Sequence, residues 1–360
     1  MRPGVRQASR RLVRSAGMGL TAVDAARRSW SDSFGQDEER GVIGARPAAV
    51  VVAVSHWRDP LAPAATVAER RRYLAACVES VLRLDVEQVV VVVLSNDSQQ
   101  VAEDLGQDLD ARFDRPTALR TLVNTEALQP PFDEPRQVFS IGWEPGPFTR
   151  AASRNPGFYL TWAHKDVLRR VFRDPEVSLA IYLEDDIRFT GEALDYWCRY
   201  RKPLAEIGLL PGFVRYEDRD GVRYVVDQVR RQVVRREIRL PGIDGAPVFA
   251  ELENPYQGMY VLDRSLAERH LRYSPYRGPV RSTLALGVYW LVRERAAYGP
   301  MHDDVPAGFR SRHVVPVRET GGGSHRLDPM CLLEHMGRTY VDQDHSRFGN
   351  VRLESLFEGG

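Results

Sequence analysis

Two valine-rich runs constrain the fold of this chain more than any other feature. Residues 48–54 and 88–94 are almost wholly apolar, as expected of strands that are buried on both faces. Between them, residues 66–84 carry apolar side chains at helical spacing, and Thr66 and Glu69 form a capping-box signature. This strand–helix–strand order predicts an α/β domain with a mostly parallel sheet and right-handed crossovers.

The rest of the chain extends this pattern. Residues 130–147 combine prolines with several aromatic side chains, which favours a functional loop over an ordinary connection. The other predicted elements are strands over 118–123, 178–183 and 314–317, helices over 155–172, 191–207 and 282–298, and an antiparallel insertion over 214–239.

Composition limits the function classes. The formal net charge of the 360 residues is only +1, so we expect no nucleic-acid partner. No apolar run reaches the roughly 18 residues of a membrane span, and we expect no transmembrane segment. Cys77, Cys198 and Cys331 are odd in number and lack a zinc-binding spacing. They predict reduced thiols and a cytoplasmic protein.

The amino-terminal 45 residues differ from the remainder. They are rich in arginine and small residues and lack early acids, which indicates a disordered leader or an overextended start site, with an organellar transit peptide as the alternative. Residues 46–350 are expected to form a single domain, with a nucleotide-binding half over 46–190 and an acceptor half over 191–350. Residues 351–360 are expected to be a tail.

Three consecutive acids follow the apolar run that ends at Leu183: Glu184, Asp185 and Asp186. Adjacent carboxylates repel one another unless a cation offsets them. Their position predicts the carboxyl end of a buried strand, where α/β folds bind ligands. A hard divalent cation takes one or two carboxylates and leaves other positions for phosphate oxygens. The triplet therefore predicts a metal–diphosphate site, although an acidic turn after a core strand remains the alternative.

The order of these features resembles the nucleotide-sugar-dependent glycosyltransferases of the GT-A fold. A first strand ends at Ser55 and His56, a second ends in the Ser-Asn-Asp of residues 95–97, and a later strand runs into the acidic triplet. The triplet resembles the Glu-Asp-Asp motif of the N-acetylglucosaminyltransferases that initiate N-glycan branching. Over residues 48–345, the resemblance implies a Rossmann-like α/β domain with a mixed, mostly parallel sheet flanked by helices. It also implies a divalent metal, Mn²⁺ or Mg²⁺, that bridges the donor diphosphate to the motif.

The resemblance assigns the metal contacts. Asp186 is expected to bind the metal, while Glu184 and Asp185 would contact ribose, sugar hydroxyls or metal-bound water. His335 resembles the carboxyl-terminal histidine that completes metal or diphosphate contacts in many GT-A enzymes, and His325 is the competing choice.

Nucleotide contacts are expected where strands and helices end. Ser55, His56, Asn96 and Asp97 are candidates for the base and ribose, although such residues also serve as simple turn formers. Arg154 stands at a predicted helix start, where backbone amides and a guanidinium could hold an anion.

The acceptor side needs a carboxylate base within hydrogen-bond reach of the hydroxyl. Glu253 is the first candidate and Asp263 the second, with a structural or surface acid as the alternative. A base at Glu253 favours inversion of the sugar configuration. Residues 301–304, Met-His-Asp-Asp, are competent for a second metal cluster, but a solvated turn is the favoured interpretation.

We therefore expect a metal-dependent glycosyltransferase that moves a sugar from a nucleoside-diphosphate sugar, with a UDP-sugar as the expected donor, to a hydroxyl of a saccharide or other acceptor. A non-catalytic saccharide- or nucleotide-binding protein is the alternative from another class. A nucleotidyltransferase would need a basic, glycine-rich loop near the first strand, and residues 55–60 lack one.

Overall fold

The structure is a computed structural model that describes residues 45–113, 118–145, 157–240, 243, 245–272, 278–279, 282, 291–321, 324–343 and 347–358. Residues 41–360 cluster as one compact unit. Residues 1–44 of the predicted leader, Arg154, and most of the predicted helix over 282–298 lie outside the described residues.

The strands are β1 (Ala49–His56), β2 (Gln88–Ser95), β3 (Ala118–Leu122), β4 (Arg136–Gly142), β5 (Leu179–Glu184), β6 (Ile187–Arg188), β7 (Leu210–Pro211), β8 (Val214–Arg219), β9 (Val222–Val225), β10 (Val248–Glu251), β11 (Met259–Asp263), β12 (His313–Gly321), β13 (Ser324–Leu327), β14 (Leu332–His335) and β15 (Val351–Arg352). The α-helices are α1 (Ala64–Leu82), α2 (Ser98–Asp110), α3 (Gly157–Leu160), α4 (His164–Val171), α5 (Gly191–Ala205), α6 (Arg264–Arg272) and α7 (Val292–Ala296). Short 3₁₀ helices occupy Thr125–Ala127, Gly299–His302, Pro329–Cys331 and Leu353–Ser355.

The principal sheet has six strands in the order β11-β5-β1-β2-β4-β3. Its neighbours are parallel except for β11, which runs antiparallel to β5. Helices α1 and α2 pack against β2, β3 and β4, while α4 packs against β1 and α6 against β11. The predicted α/β class with a mixed, mostly parallel sheet flanked by helices is therefore confirmed.

The central strands explain why the valine runs were readable. Every residue of β1 is buried, and so is every residue of β2 after Gln88. A strand covered on both faces has no solvent side to carry polar residues, so its sequence is a continuous apolar run. In α1, the buried residues fall on one helical face: Leu74, Ala75, Cys77, Val78, Val81 and Leu82.

Two smaller sheets complete the unit. Strands β10, β12 and β13 form one, with β7 beside β12, and the order β15-β9-β8-β14-β6 forms the other. The second sheet matters for function because β6 begins two residues after β5 ends and pairs with β14. It thereby brings a late part of the chain to the carboxyl end of the principal sheet.

Several predicted elements are corrected. The stretch over residues 130–147 contains β4, an interior strand between β2 and β3, so it is not simply a long loop. Helix α1 begins at Ala64 after Pro63, and no side chain caps it, so Thr66 does not form the predicted capping box. The described part of the predicted helix over 155–172 is divided into α3 and α4.

The carboxyl-terminal residues also differ from the expected tail. Strand β15 pairs with β9, and Leu356 and Phe357 are buried. The ordered domain therefore extends beyond residue 350. None of the described helices is long and apolar enough to cross a membrane.

Candidate metal centre

The acidic triplet lies where β5 leaves the principal sheet. Glu184 is the last residue of β5, and Asp185 and Asp186 form the turn into β6. Strand β14 pairs antiparallel with β6 and sets His335 opposite Ile187. His335 is therefore held beside the acids by strand register.

Glu184, Asp186 and His335 form a compact set of potential metal ligands. One ligand atom from each lies within 4.8 Å of the other two, and His335 Nε2 is 3.4 Å from Asp186 Oδ2. Asp186 Oδ1 is buried and has no hydrogen-bond partner within the described part of the chain. Two carboxylates, one imidazole and an uncommitted buried oxygen fit a divalent cation such as Mn²⁺ or Mg²⁺.

A buried carboxylate orients His335. Glu217 Oε1 lies 2.7 Å from His335 Nδ1, and Glu217 also accepts the backbone N–H groups of Tyr340 and Val341 at 3.0 and 2.8 Å. A proton on Nδ1 that is donated to Glu217 leaves the Nε2 lone pair for the cluster, as is usual for a metal-binding histidine. Burial opposes the charged imidazole, but Asp186 and Glu217 outweigh it and raise the pKa of His335.

Arg70 of α1 brings positive charge to the turn. Its Nη1 is 3.2 Å from Asp186 Oδ2 and 3.9 Å from Asp185 Oδ1. Burial would raise the pKa of Asp186, but His335 and Arg70 outweigh it, so the pKa is lowered. Asp186 is thus held as the carboxylate, the form that binds a cation.

Glu184 is held on its other side. Arg215 of β8 donates to Glu184 Oε2 at 3.0 Å and makes a two-point pair with Asp227 at 2.9 and 2.7 Å. The Tyr256 hydroxyl donates to Glu184 Oε1 at 2.9 Å. Burial raises the pKa of Glu184 although Arg215 opposes it. Glu184 is therefore the more readily protonated of the two carboxylates in the cluster.

Gly258 allows this arrangement. Its φ of +62° lies in the left-handed region, and a Cβ there would come within 2.7 Å of Glu184 Oε2 and would also strike Arg215. The turn before β11 can press against the pair only because residue 258 has no side chain.

The middle acid has a separate partner. His56 Nδ1, at the end of β1, lies 2.5 Å from Asp185 Oδ2, and register places Ser55 beside Glu184. Ser55 and His56, predicted as nucleotide contacts, are thus brought to the acids. The structure joins His56 directly to Asp185.

The cluster faces a cavity of about 410 Å³. The cavity is lined by the ends of β1 and β5, one side of α1, and parts of α3 and α7. Beyond the residues already described, its lining includes Trp57, Arg58, Asp59, Arg71, Asp104, Phe158, Thr161, Tyr182, Arg293, Glu294, Thr339 and Tyr340.

Asn96 and Asp97 do not line this cavity but support its wall. Asn96 exchanges hydrogen bonds of 2.9 Å with the backbone N–H and C=O of Arg58. The Arg58 guanidinium donates to Asp97 at 2.5 Å. Because Arg58 is a lining residue, both side chains position the wall and neither is placed to touch a nucleotide in it.

Neither acid expected as the catalytic base is at the cavity. Glu253 pairs with Arg230 and Arg235 at 2.9 and 3.4 Å, and hydrogen bonding to Arg230 lowers the pKa of Glu253. Asp263 is wholly buried against Arg201 at 2.8 Å. Since β11 runs antiparallel to β5, Asp263 lies opposite Leu179, at the far edge of the sheet from the acidic triplet.

The other predicted metal ligands also lie elsewhere. His325 pairs with Glu237 at 3.1 Å. Asp303 is bonded to His270 at 3.0 Å, and Asp304 pairs with Arg269. Within the described residues, the cluster of Glu184, Asp186 and His335 is the one group that fits a metal ion.

Sequence reasoning missed Arg70, Arg215, Glu217 and Tyr256. None belongs to a local motif: Arg70 is one arginine among many on a helix, and Glu217 lies in a strand of alternating polarity. The single available signal was Gly258, in the acid-bearing turn that precedes β11, because a glycine between two strands often marks a close backbone approach.

The fold and the site together define an α/β protein with a candidate divalent-cation centre at the carboxyl edge of a mostly parallel sheet. No protein-family model matches the chain, and no match appears among curated proteins. Its function must therefore be inferred from the chemistry of the site.

Proposed function

We propose that this protein is a metal-dependent glycosyltransferase that transfers a sugar from a nucleoside-diphosphate sugar, with a UDP-sugar as the expected donor, to an acceptor hydroxyl. The observation that carries the proposal is the Glu184, Asp186 and His335 cluster, which faces a cavity at the carboxyl end of β5. The GT-A fold belongs to the same proposal.

The size and composition of the cavity support a small anionic ligand. A volume of about 410 Å³ lies in the usual range for small-molecule sites. Arg58, Arg70, Arg71 and Arg293 line it together with the acids. A diphosphate held between a cation and guanidinium groups would satisfy both sets of charges.

Departure of a nucleoside diphosphate builds negative charge on the leaving phosphate. A bound Mn²⁺ or Mg²⁺, held by Asp186, Glu184 and His335, would supply positive charge at that point. Arg70 adds a fixed charge beside the same carboxylates, and its side chain is 43% exposed, so it can reach a ligand in the cavity. Such preorganised charge stabilises the transition state more than a mobile solvent would.

The acceptor base must come from another carboxylate than those first expected. Asp59, Asp104 and Glu294 also line the cavity, but Asp104 is committed to Arg71 at 3.1 Å. Asp59 and Glu294 are therefore the candidates that we propose. The preference for inversion rested on Glu253 and is withdrawn with it.

The first experiment compares thermal stabilisation by nucleoside diphosphates and nucleotide sugars, each with Mn²⁺ and with a chelator. Binding to the native state raises stability by mass action, so one nucleotide class should stabilise the protein only with metal. Asp186→Asn should abolish that shift. Asp166→Asn, an exposed acid on α4, is the matched control and should retain it. A metal-dependent shift that persists in Asp186→Asn would refute the assigned site.

A non-catalytic nucleotide- or saccharide-binding protein is the second candidate. The displacement of Glu253 and Asp263 from the cavity favours it, since both had been expected to provide catalysis. Turnover of the stabilising nucleotide sugar separates the two functions. Under the glycosyltransferase proposal, either Asp59→Asn or Glu294→Gln should lower transfer by roughly 10²-fold with donor binding intact, as expected for loss of a general base.

A further inference from the structure

Residues 229–239, here called the basic segment, concentrate positive charge on one short stretch. Its sequence, Val-Arg-Arg-Gln-Val-Val-Arg-Arg-Glu-Ile-Arg, contains five arginines and a single acid, Glu237. The whole chain carries a formal net charge of only +1. The segment is therefore strongly basic against a nearly neutral background.

The basic segment is fixed to the domain although most of it forms no regular strand or helix. The Gln232 backbone N–H donates to the carbonyl of Leu356 at 2.7 Å, and its side chain accepts the backbone N–H of Glu253 at 2.9 Å. Ile238 bridges to Phe249. Gln232 and Ile238 are buried, while all five arginines are exposed. The fold thus holds the backbone inward and displays the guanidinium groups to solvent.

Aliphatic side chains are exposed among these arginines. Val229 and Val233 are 51% and 55% exposed, and Ile243 shortly after the segment is 39% exposed. Only seven large hydrophobic residues of the described chain are exposed, so three of them lie within fifteen residues of sequence. A solvated surface loop gains nothing from such exposure, whereas a surface that enters a lipid interface does.

The nearby acids leave most of the charge uncompensated. Arg230 and Arg235 share Glu253, and Arg239 pairs with Glu237 at 2.6 Å. Two carboxylates thus face the five guanidinium groups. These pairs are solvent-exposed, where opposite charges attract weakly and remain available to other anions.

The basic segment begins next to the candidate metal centre. Asp227 forms the two-point pair with Arg215, a cavity-lining residue, and the segment starts two residues later. On the neighbouring stretch, Glu253 precedes the cavity residue Tyr256 by three positions. A surface bound by the basic segment would therefore lie close to the cavity wall.

We propose that the basic segment docks this protein on a membrane surface that carries anionic lipid head groups. Arginines near such a surface are attracted by its negative potential, and the exposed valines would enter the boundary between head groups and acyl chains. Single-stranded nucleic acid is the other polyanion to consider, but its binding surfaces present aromatic side chains for base stacking. The segment contains none.

Vesicle flotation of the full chain, without nucleotide or metal, tests this surface independently of any transferase activity. Vesicles of three parts phosphatidylcholine and one part phosphatidylglycerol should carry the protein at 0.1 M NaCl, and vesicles of phosphatidylcholine alone should not. Arg231→Gln with Arg236→Gln and Arg239→Gln should weaken the partition on the order of 100-fold, from ~1 kcal/mol for each arginine near an anionic surface. None of these three arginines pairs with Glu253, which limits the effect on the fold.

The matched control is Arg173→Gln with Arg199→Gln and Arg272→Gln, three exposed arginines outside the segment, which change the net charge equally. This control should float like the wild-type protein, and Val229→Ser with Val233→Ser should float several-fold less. An equal loss in the two arginine triple variants would overturn the proposal, as would equal flotation with neutral vesicles. Release of the protein by DNA together with full flotation of the valine variant would assign the segment to nucleic acid instead.

Discussion

Glu217 offers the sharpest test of how the candidate centre is built. Its fully buried carboxylate accepts from His335 Nδ1 and from the backbone N–H groups of Tyr340 and Val341. Glu217→Gln keeps the shape of the side chain but exchanges one acceptor oxygen for an NH₂ donor. At least one of the three N–H groups would then face a donor.

The expected destabilisation follows from these contacts. A hydrogen bond to a charged group contributes about 1.5–3 kcal/mol, and leaving a buried donor unsatisfied costs a similar amount. We therefore expect Glu217→Gln to lower the free energy of unfolding by about 3 kcal/mol. Because the variant also releases the orientation of His335, metal affinity should fall by roughly 10- to 100-fold, as for other residues that orient a metal-binding histidine.

Urea unfolding measures the first effect, and calorimetric titration with Mn²⁺ measures the second. Glu334→Gln is the matched control, since Glu334 lies on β14 beside His335 but pairs with Arg188 at the surface. It should change stability by less than about 1 kcal/mol. If Glu217→Gln proved no less stable than Glu334→Gln, the inferred role of the Glu217 carboxylate would be wrong.

Three further predictions concern positions around the sheet. Gly258→Ala should abolish metal-dependent nucleotide binding because the added methyl group meets two side chains of the centre, whereas Gly221→Ala, also at positive φ but in open space, should not. Asp263→Asn should lower the free energy of unfolding by about 3–5 kcal/mol by breaking a buried ion pair, as read by urea unfolding. A loss of turnover at unchanged stability would restore Asp263 as a base. Burial lowers the pKa of His313 to about 3, so the unfolded state binds more protons below its ordinary pKa of 6.5. Stability should fall by about 1.4 kcal/mol per pH unit from there toward pH 3; equal slopes in wild type and His313→Gln would contradict this.

The fold could be predicted where burial controls composition. Strands β1 and β2 are covered on both faces, so nearly every residue had to be apolar. Strand β4 is as interior, yet its sequence, Arg-Gln-Val-Phe-Ser-Ile-Gly, includes polar residues whose partners are supplied by neighbouring elements. Those tertiary partners leave no local periodic pattern, and the stretch was interpreted as a loop.

The same distinction applies to the site. Asp186 was predictable because three adjacent acids need a local explanation, and His335 because of the resemblance to GT-A enzymes. Glu253 and Asp263 were plausible from spacing alone, but strand direction sends Asp263 to the other sheet edge, and paired arginines occupy Glu253. Sequence spacing contains neither the direction of β11 nor the partner of a surface acid.

The pairing of β6 with β14 has a consequence for how the centre is assembled. Asp186 is made early in synthesis, but His335 and the backbone groups of residues 340–341 that fix Glu217 are made only when most of the chain has left the ribosome. Long-range pairings of this kind form slowly because a large loop must close first. Until β14 docks, the acids of the turn lack the imidazole that draws them together. Cation binding therefore reports completion of the whole domain, and a nascent chain that ends before residue 335 should be unable to hold the ion.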